Sequence, residues 1–289
     1  MAYIPGTDMD GRQATLGTLR LGAVDSSGVA WFLQGVEGWD SPEVRAELQD
    51  READHGSWAS TVYLGSRPIT LTGTVEAPDR ASLDGALDQL YAAAALTDTT
   101  LTVWEATPKQ ATVRRSGKVL AQYVTDRVAT YSVLVTAADP RRYSTTLQSG
   151  TTGLPATTGG LTFPVAFPIT FSATTVSGQI NAANSGSMDT RPVLTIAGPV
   201  VAPVVSALYA DGTVRQLIYS LDLASGDVLT IDTDAHTVIL NGSTSRRRFM
   251  TVPSGWPTVP AASSVNYQFQ SGTYNALAML TATWRSAWM

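Results

Sequence analysis

The stretch that decides the fold is residues 69–75, ITLTGTV. Apolar residues stand at alternate positions with threonine between most of them, which predicts a β-strand with one buried face. Three further stretches of the first half are also predicted strands: residues 29–33 (VAWFL), 101–104 (LTVW) and 131–135 (YSVLV). The first half of the chain is therefore predicted to be built around a sheet.

One helix is predicted among these strands, directly after Pro78. Asp79 can cap it by accepting a hydrogen bond from the free amides of its first turn. Apolar residues then follow at helical spacing and form one stripe: Leu83, Leu87, Leu90, Tyr91 and Ala94. Such a stripe is typical of a helix docked on a sheet. Residues 97–99 (TDT) are predicted to end the helix.

The domain boundary is predicted at residues 148–162, which contain four glycines, one proline and no charge. This composition is typical of a linker or a long loop. At 289 residues the chain is long enough for two domains with separate cores. We therefore predict an N-terminal domain over 1–147, a linker over 148–162 and a C-terminal domain over 163–289.

The second half is predicted to be almost purely β. Its strands are expected at 191–198, 204–209, 227–232, 237–242 and 278–285. Ser-Gly, Asp-Gly and Asn-Gly turns punctuate them. Turns at such spacing, without a convincing helix, favour a β-sandwich, so the fold class of the whole chain is mainly β.

Composition excludes several classes of function. Only 15% of residues are charged, where about 25% is usual, and such an exterior suits a chain covered by neighbours. The net charge of −5 resides entirely in residues 1–149, and neither half has the basic excess of a protein that binds nucleic acid. The chain has no cysteine, which excludes disulfides and thiolate metal sites.

Targeting signals are not expected. Residues 1–8 (MAYIPGTD) lack the positive start and apolar run of a signal peptide. No apolar stretch approaches the roughly 20 residues of a membrane span. The sequence predicts a soluble protein made in the cytoplasm without a secretory signal.

Two segments carry a resemblance to a known family. Residues 38–45 (GWDSPEVR) lead through 63–67 (YLGSR) into the strand 69–75, and residues 137–144 (AADPRRYS) close the first half. They resemble the distal tail proteins of long-tailed, non-contractile bacteriophages, in the compact form without an inserted carbohydrate-binding module. Further matches are Gly56, Arg191-Pro192, Gly198-Pro199, Gly226-Asp227, Ile231-Asp232 and Trp284-Arg285. Residues 261–266 (AASSVN) depart from the family, which usually has a Gly-Asn turn there.

The resemblance implies a fold and a function. The N-terminal domain is expected to be a β-barrel-like belt domain with one helix that forms a hexameric ring, and the C-terminal domain a galectin-like sandwich outside it. The ring would be a structural part of the tail tip or baseplate of the virion, made in the host cytoplasm. Its expected partners are copies of itself, the tail-tube protein, the tail-tip hub protein and a receptor-binding protein. DNA would only pass through its channel, and no membrane is involved.

Residues of the two resembling segments are the predicted contacts between subunits. They are Trp39, Asp40, Pro42, Arg45, Arg67, Asp139, Arg141, Arg142 and Tyr143. The dense basic run Arg246, Arg247 and Arg248 is either an exposed loop or a contact with an acidic neighbour in the assembly.

No catalytic group, metal site or cofactor is predicted, and the protein is not expected to be an enzyme. The two histidines, His55 and His236, lie in different predicted domains, whereas metal sites and catalytic triads bring their ligands into one pocket. Two acidic sets are weak cation candidates without the spacing of a calcium loop. They are Glu43, Glu47, Asp50, Glu52 and Asp54, more consistent with a solvated or subunit-pairing surface, and Asp222, Asp227, Asp232 and Asp234.

The main alternative is a carbohydrate-binding module or adhesin that recognises a host-wall glycan. Sugar stacking requires an exposed aromatic ring flanked by polar groups. The candidate rings are Trp256, Tyr267, Phe269, Tyr274, Trp284 and Trp288, although their alternation along strands favours core positions for several. A tail-tube protein is a third interpretation, but such subunits rarely carry a second sandwich domain.

Overall fold

The computed structural model describes residues 11–158 and 174–289 of the chain. The chain divides into two compact units, Met1–Thr145 with Met289 and Thr146–Trp288. Each is described by itself below as the N-terminal and the C-terminal unit. Antiparallel sheets dominate both units, which confirms the predicted mainly-β class.

The N-terminal unit contains fourteen strands and one helix within the described residues. In chain order they are β1 (Gln13–Leu16), β2 (Leu19–Leu21), β3 (Ala23–Val24), β4 (Ala30–Glu37), β5 (Val44–Arg45), β6 (Leu48–Asp50), β7 (Ser57–Ala59), β8 (Tyr63–Leu64), β9 (Arg67–Glu76), α1 (Arg80–Ala93), β10 (Thr99–Trp104), β11 (Lys109–Arg115), β12 (Leu120–Tyr123), β13 (Val128–Ala137) and β14 (Arg142–Ser144).

The main sheet of this unit has the strand order β2-β1-β10-β11-β13-β9-β4-β3. Its two end strands, β2 and β3, are separated along the chain only by Gly22, whose amide donates to the Trp31 carbonyl at 2.7 Å. Gly22 has a φ of +85°, a conformation that suits glycine. The two ends of the sheet therefore meet at Gly22 in a barrel-like arrangement, without a closed hydrogen-bonded barrel among the described strands.

The core of the N-terminal unit follows the predicted alternation. In β9 and β13, paired from Val128↔Glu76 to Ala137↔Arg67, every second side chain is buried. Asp79 caps α1 by accepting from the Ser82 amide at 2.8 Å, which confirms the predicted helix start. Tyr91 is the exception to the predicted stripe: its side chain is exposed, because the buried face of α1 ends at Leu90 on this side.

A two-stranded arm departs from the sheet between β4 and β9. It spans residues 43–65, and its ladder pairs β5 with β8 and β6 with β7. At the root of the arm the Gly65 amide donates to the Glu43 carbonyl at 2.8 Å. None of its residues is buried, and none belongs to the hydrophobic core of the unit.

The C-terminal unit contains fourteen strands within the described residues. They are β15 (Gln148–Gly153), β16 (Ala156–Thr158), β17 (Thr174–Val176), β18 (Gln179–Asn184), β19 (Val193–Ala197), β20 (Val204–Leu208), β21 (Val214–Tyr219), β22 (Val228–Asp232), β23 (Thr237–Leu240), β24 (Thr244–Ser245), β25 (Met250–Thr251), β26 (Ser263–Gln270), β27 (Met279–Trp284) and β28 (Ala287–Trp288). A 3₁₀ turn, Arg247–Phe249, precedes β25.

Two sheets enclose the core of this unit. One has the order β15-β27-β19-β22-β23-β24 and the other β18-β26-β20-β21-β25. Buried side chains of both sheets belong to one hydrophobic cluster, among them Leu194 and Ile231 of the first sheet and Val205 and Phe269 of the second. The arrangement confirms the predicted sandwich.

The predicted linker is corrected in its first part. Residues 148–153 form β15, which pairs along its whole length with β27. Its glycine content has a packing reason, because a Cβ on Gly150 would lie 2.4 Å from Cγ2 of Ile180. Residues 156–158 pair with 174–176, and the rest of the predicted linker, 159–162, lies outside the described residues.

Residues 261–262 form the turn before β26, and residues 263–266 are the first four residues of that strand. Ala262 takes the left-handed conformation there, with a φ of +47°, and its amide donates to the Gly186 carbonyl at 2.9 Å. This conformation is the one that glycine or asparagine adopts most readily.

Candidate functional site: the arm and its base

One arginine joins the two segments that the sequence singles out. Arg67, the first residue of β9, is fully buried. Its Nε donates to the Pro140 carbonyl at 2.9 Å, and its Nη1 donates to the carbonyls of Trp39 and of Gly38, the latter at 3.3 Å. The planar guanidinium reaches several acceptors at once, which a lysine cannot do. Arg67 therefore fixes the root of the arm against the end of β13.

The electrostatics of Arg67 are those of a buried cation bound by carbonyl dipoles. Burial lowers its pKa to about 10, and the nearby charge of Arg142 adds to the lowering. Asp40 and Asp139 act in the opposite direction. The side chain is still protonated at neutral pH, so the hydrogen bonds that it donates are charge-assisted and strong.

A second cluster lies around the buried indole of Trp39. Its Nε1 donates to Oε1 of Glu105 at 2.8 Å, and Nζ of Lys109 lies 2.6 Å from Oε2 of the same carboxylate. The guanidinium of Arg142 lies 5.4 Å from the centre of the Trp39 ring and 3.9 Å from Glu105 Oε1. Burial raises the pKa of Glu105, but the hydrogen bonds from Lys109 and Trp39 outweigh it, and the net pKa lies below its ordinary value.

The Asp139 carboxylate accepts hydrogen bonds from other residues of its own segment, 137–144. Its Oδ1 accepts from the Arg141 amide at 3.1 Å and from Nη1 of Arg141 at 3.2 Å, while Oδ2 accepts from the Tyr143 hydroxyl. The segment is therefore a rigid turn. It presents the Pro140 carbonyl to Arg67 in a fixed position.

Three predicted contact residues are buried within the chain. Trp39 and Arg67 have no exposed surface, and Pro42 is buried too. As the chain stands, their side chains offer no surface to a neighbouring subunit, and Trp39 and Arg67 are joined at the root of the arm. Arg45 lies exposed on the arm and Asp40 beside it, whereas Asp139, Arg141, Arg142 and Tyr143 are half-buried. For these six residues a contact between subunits stays a prediction.

The arm itself is acidic and apolar at once. Five carboxylates and two arginines lie between residues 43 and 65. Leu48, Trp58 and Tyr63 are each more than 60% exposed, which is unusual for such large apolar side chains. Arg51 covers part of Trp58, with 4.5 Å between its guanidinium and the ring centre. Leu48 and Trp58 lie on opposite faces of the arm, because Trp58 pairs with Gln49. Large apolar side chains left exposed among charges are typical of an interaction site.

Sequence reasoning missed Glu105, Lys109 and the strands of the arm. The two charged residues flank a tight connection between β10 and β11, where opposite charges at a hairpin are common and point to no particular neighbour. The strands of the arm lack alternation because neither face is buried by the chain itself. A tryptophan at position 58, shortly after an acidic stretch, is the sequence signal that could have indicated this segment.

The basic run of the C-terminal unit lies on aromatic rings. The guanidiniums of Arg246 and Arg248 lie 5.9 and 4.5 Å from the Phe249 ring centre, and that of Arg247 lies 5.0 Å from Trp256. Arg247 and Arg248 are exposed. Within the described residues no carboxylate pairs with the run, so its predicted contact with an acidic neighbour stays a prediction.

The aromatic residues of the glycan alternative are mostly core residues. Tyr267 and Phe269 have no exposed surface, and Trp284 is 6% exposed. Trp256 is half-buried, and the His236 ring stacks parallel to it at 4.7 Å. Of these rings only Tyr274 is largely exposed. The buried positions of Tyr267, Phe269 and Trp284 confirm the alternation argument, and Tyr274 is the exposed ring of this set that could stack on a sugar.

The predicted cation candidates do not converge. Among residues 11–158 and 174–289, no three His, Asp or Glu side chains lie close enough to hold a metal ion. In the C-terminal set the carboxylates accept from backbone amides of neighbouring turns, as Asp232 does from Asp234 and Ala235 at 2.8 and 2.9 Å. No helix in this part of the chain has the length and apolar character needed to cross a membrane.

Comparison with known proteins places this geometry among phage structures. No protein-family model and no curated protein sequence matches the chain. Solved structures do match. A crystal structure of SPP1 Dit (gp 19.1), described as a paradigm of hub adsorption apparatus in Gram-positive infecting phages, aligns over 97% of this chain and 100% of that chain, with a TM-score of 0.66. The fold is similar to that of SPP1 Dit.

A second solved structure agrees. A chain of the phage P2 baseplate in its activated conformation with Ca aligns over 94% of this chain and 98% of that chain, with a TM-score of 0.50. The sequence identities are 11% to SPP1 Dit and 10% to the baseplate chain. At such identities the likeness to SPP1 Dit establishes the fold, over nearly the full length of both chains.

Proposed function

We propose that the chain is a structural, non-enzymatic subunit of a siphovirus-type bacteriophage tail tip, a distal tail protein of the compact form. Six copies close into a ring that joins the tail tube to the tip hub and leaves a channel for DNA. The observation that carries the proposal is the full-length likeness to SPP1 Dit, a hub protein. A shared fold alone does not fix a function, and two features of this chain add support.

The first feature is the arm. A two-stranded ribbon is marginally stable in water without a packed face. The arm has none in this chain, and it exposes Leu48, Trp58 and Tyr63. Burial against another protein supplies the missing stabilisation, at about 25 cal/mol for each Å² of apolar surface. A chain that builds such an arm on a rigid base is built to assemble.

The second feature is the charge balance. The net charge is −5, and the only dense basic run is Arg246–Arg248. A protein that lets DNA pass must not neutralise its phosphates. We infer that DNA is in transit only, and that the partners are further copies of the chain, the tail-tube protein, the hub protein and a receptor-binding protein. The chain is then made in the host cytoplasm and resides at the tail tip of the virion.

The test is the native mass of the purified chain across concentration, with negative-stain images of the same sample. The proposal predicts a species of six times the 30.5 kDa chain mass, seen as a ring with an open centre. If the ring closes only with a partner, purified tail tubes are added instead of raising the protein concentration. The ring is then sought at the ends of the tubes. A chain that stays monomeric and never binds tubes or tips contradicts the proposal.

A matched variant sharpens this test. Glu43 and Gly65 are hydrogen-bonded at 2.8 Å, so residues 44–64 can be replaced by Asn-Gly, which favours a tight hairpin turn. The arm-deleted chain keeps the whole core of the N-terminal unit. It is expected to fold and to lose the ring. Specific, saturable binding in a glycan screen would instead favour the carbohydrate-binding alternative.

A further inference from the structure

A groove on the N-terminal unit combines exposed apolar side chains with basic ones. It lies between the end of α1 and the connection from β11 to β12. Its lining includes Tyr91, Leu96, Arg115, Lys118 and Val119. Leu96 is 72% exposed and Tyr91 is 43% exposed. None of these residues belongs to the arm, so arm and groove are separate surfaces of one unit.

The groove has a net positive charge. Within the described residues, Arg115 and Lys118 pair with no carboxylate, whereas the adjacent Arg114 is neutralised by Asp98. Leu120 extends the apolar surface beyond Lys118 and is 60% exposed. The groove therefore suits an occupant that is both apolar and acidic.

The arm has the complementary character. Glu43, Glu47 and Glu52 make no ion pair within the part of the chain that the structure describes, and the exposed Leu48 lies directly beside Glu47 in the chain. At about 3.3 Å per residue, the ten residues from Glu43 to Glu52 span roughly 30 Å. The arm can therefore reach well beyond its own root.

We propose that the arm of one copy docks into the groove of the next copy, with Glu43 and Glu47 facing Arg115 and Lys118. This inference rests on the proposed function, because it names the surfaces that close the ring. The charges favour a second copy of the chain as the occupant, because every copy carries one acidic arm and one basic groove. An interface between two different faces of the same chain is heterologous. Such interfaces generate a ring when the rotation from each copy to the next brings the last copy back to the first.

The test uses two charge-reversed chains that complement each other. Chain one carries Glu43→Lys and Glu47→Lys, and chain two carries Arg115→Glu and Lys118→Glu. Each chain alone is expected to lose the ring. Their mixture is expected to restore a ring of six times the 30.5 kDa chain mass, in which the two chains alternate. The basic arm of chain one then meets the acidic groove of chain two, and the wild-type arm of chain two meets the wild-type groove of chain one.

Combining all four substitutions in one chain restores opposite charges, and the ring is expected to return. The control is a chain with Arg20→Glu and Arg127→Glu, the same change of charge on exposed residues of the N-terminal unit outside the arm and the groove. It is expected to keep the ring. A groove-reversed chain that still forms wild-type rings overturns the inference and leaves the proposed function standing.

A covalent trap makes the test independent of ring stability. The chain has no cysteine, so Glu47→Cys in one copy and Lys118→Cys in another form the only disulfide that oxidation can produce between them. The proposal predicts this cross-link even where the wild-type chain is monomeric at equilibrium. A mixture of Glu47→Cys and Lys118→Cys that cross-links no faster than a mixture of Glu47→Cys and Arg127→Cys contradicts the inference.

Discussion

Two hairpins of this protein have the same secondary structure and opposite surroundings. The hairpin β22–β23 buries Leu229, Ile231 and Val238 in the core of the sandwich. The arm buries none of its side chains and leaves Leu48 and Trp58 exposed. A hairpin with a core face is stabilised by its own chain, whereas the arm has no such stabilisation within the chain. In the proposed assembly the first hairpin is a structural element and the arm is an assembly element.

The largest expected effect lies in the hairpin with the core face. Ile231→Ala is expected to cost about 2–5 kcal/mol of unfolding free energy, because it removes buried methyl groups and leaves a cavity. Its counterpart, Leu48→Ala on the arm, is expected to change the unassembled chain by less than about 0.5 kcal/mol. Native-state hydrogen exchange at the β9 and β22 amides measures both. If both substitutions lower the free energy of unfolding by the same amount, the two hairpins do not differ as described.

The next largest effect is expected at the root of the arm. Arg67→Met removes the charge-assisted hydrogen bonds to Gly38, Trp39 and Pro140 and leaves buried carbonyls unpaired, at a cost of roughly 2–4 kcal/mol. Faster amide exchange in β9 and β13 reports this loss. Arg67→Lys is expected to rescue little, because a single ammonium cannot span the same acceptors.

A matched control for Arg67 is Arg114→Met. Arg114 is exposed and pairs with the exposed Asp98, so its loss is expected to lower the unfolding free energy far less than the loss of Arg67. If both arginine variants lose the same stability, Arg67 does not hold the base of the arm as described.

A smaller effect is expected to depend on pH. The folded pKa of Glu105 is lowered, so its carboxylate stabilises the folded state above its ordinary pKa of about 4.5, and the contribution is lost as pH falls through the folded value. Glu105→Gln is expected to remove roughly 1–3 kcal/mol at pH 7 and to weaken the pH dependence below about 4.5. Exchange in β10 and β11, measured between pH 3.5 and 7, provides the test. An unchanged profile would mean that the Trp39–Glu105–Lys109 contacts contribute nothing.

The smallest effect on stability is expected at Trp58. Trp58→Ala removes a side chain that is 65% exposed, so the unassembled chain is expected to unfold within about 0.5 kcal/mol of the wild type. Assembly is expected to weaken at least about tenfold, since buried tryptophans dominate interfaces. Analytical ultracentrifugation measures the association constant. Loss of stability without loss of assembly would identify Trp58 as a structural residue.

Much of the core could be predicted from the sequence, because periodicity reports burial within the chain. The alternation in residues 69–75 predicted β9, and Asp79 with its apolar stripe predicted α1. Residues 148–153 were missed because their composition resembles a linker, although Gly150 is small only to admit Ile180. The arm gave no periodic signal, because its burial depends on another molecule.

The candidate site could be predicted only in part, for a related reason. The segments around Trp39 and Asp139 stood out in the sequence, and the structure brings them together through Arg67. The sequence could not show that Trp39 and Arg67 face inward, because a Trp or Arg in a turn is compatible with either a contact or a buried anchor. Glu105 joins the cluster through a distant hairpin that no local pattern indicated.

The most direct test of the central claim is hydrogen exchange at the arm amides in the dilute monomer and in the assembled ring. The amides of β6 and β7 are expected to exchange rapidly in the monomer and to become protected on assembly. The amides of β22 and β23 are expected to be protected in both states. Protection of β6 and β7 already in the monomer, or its continued absence in the ring, would contradict the claim that the arm is stabilised by assembly.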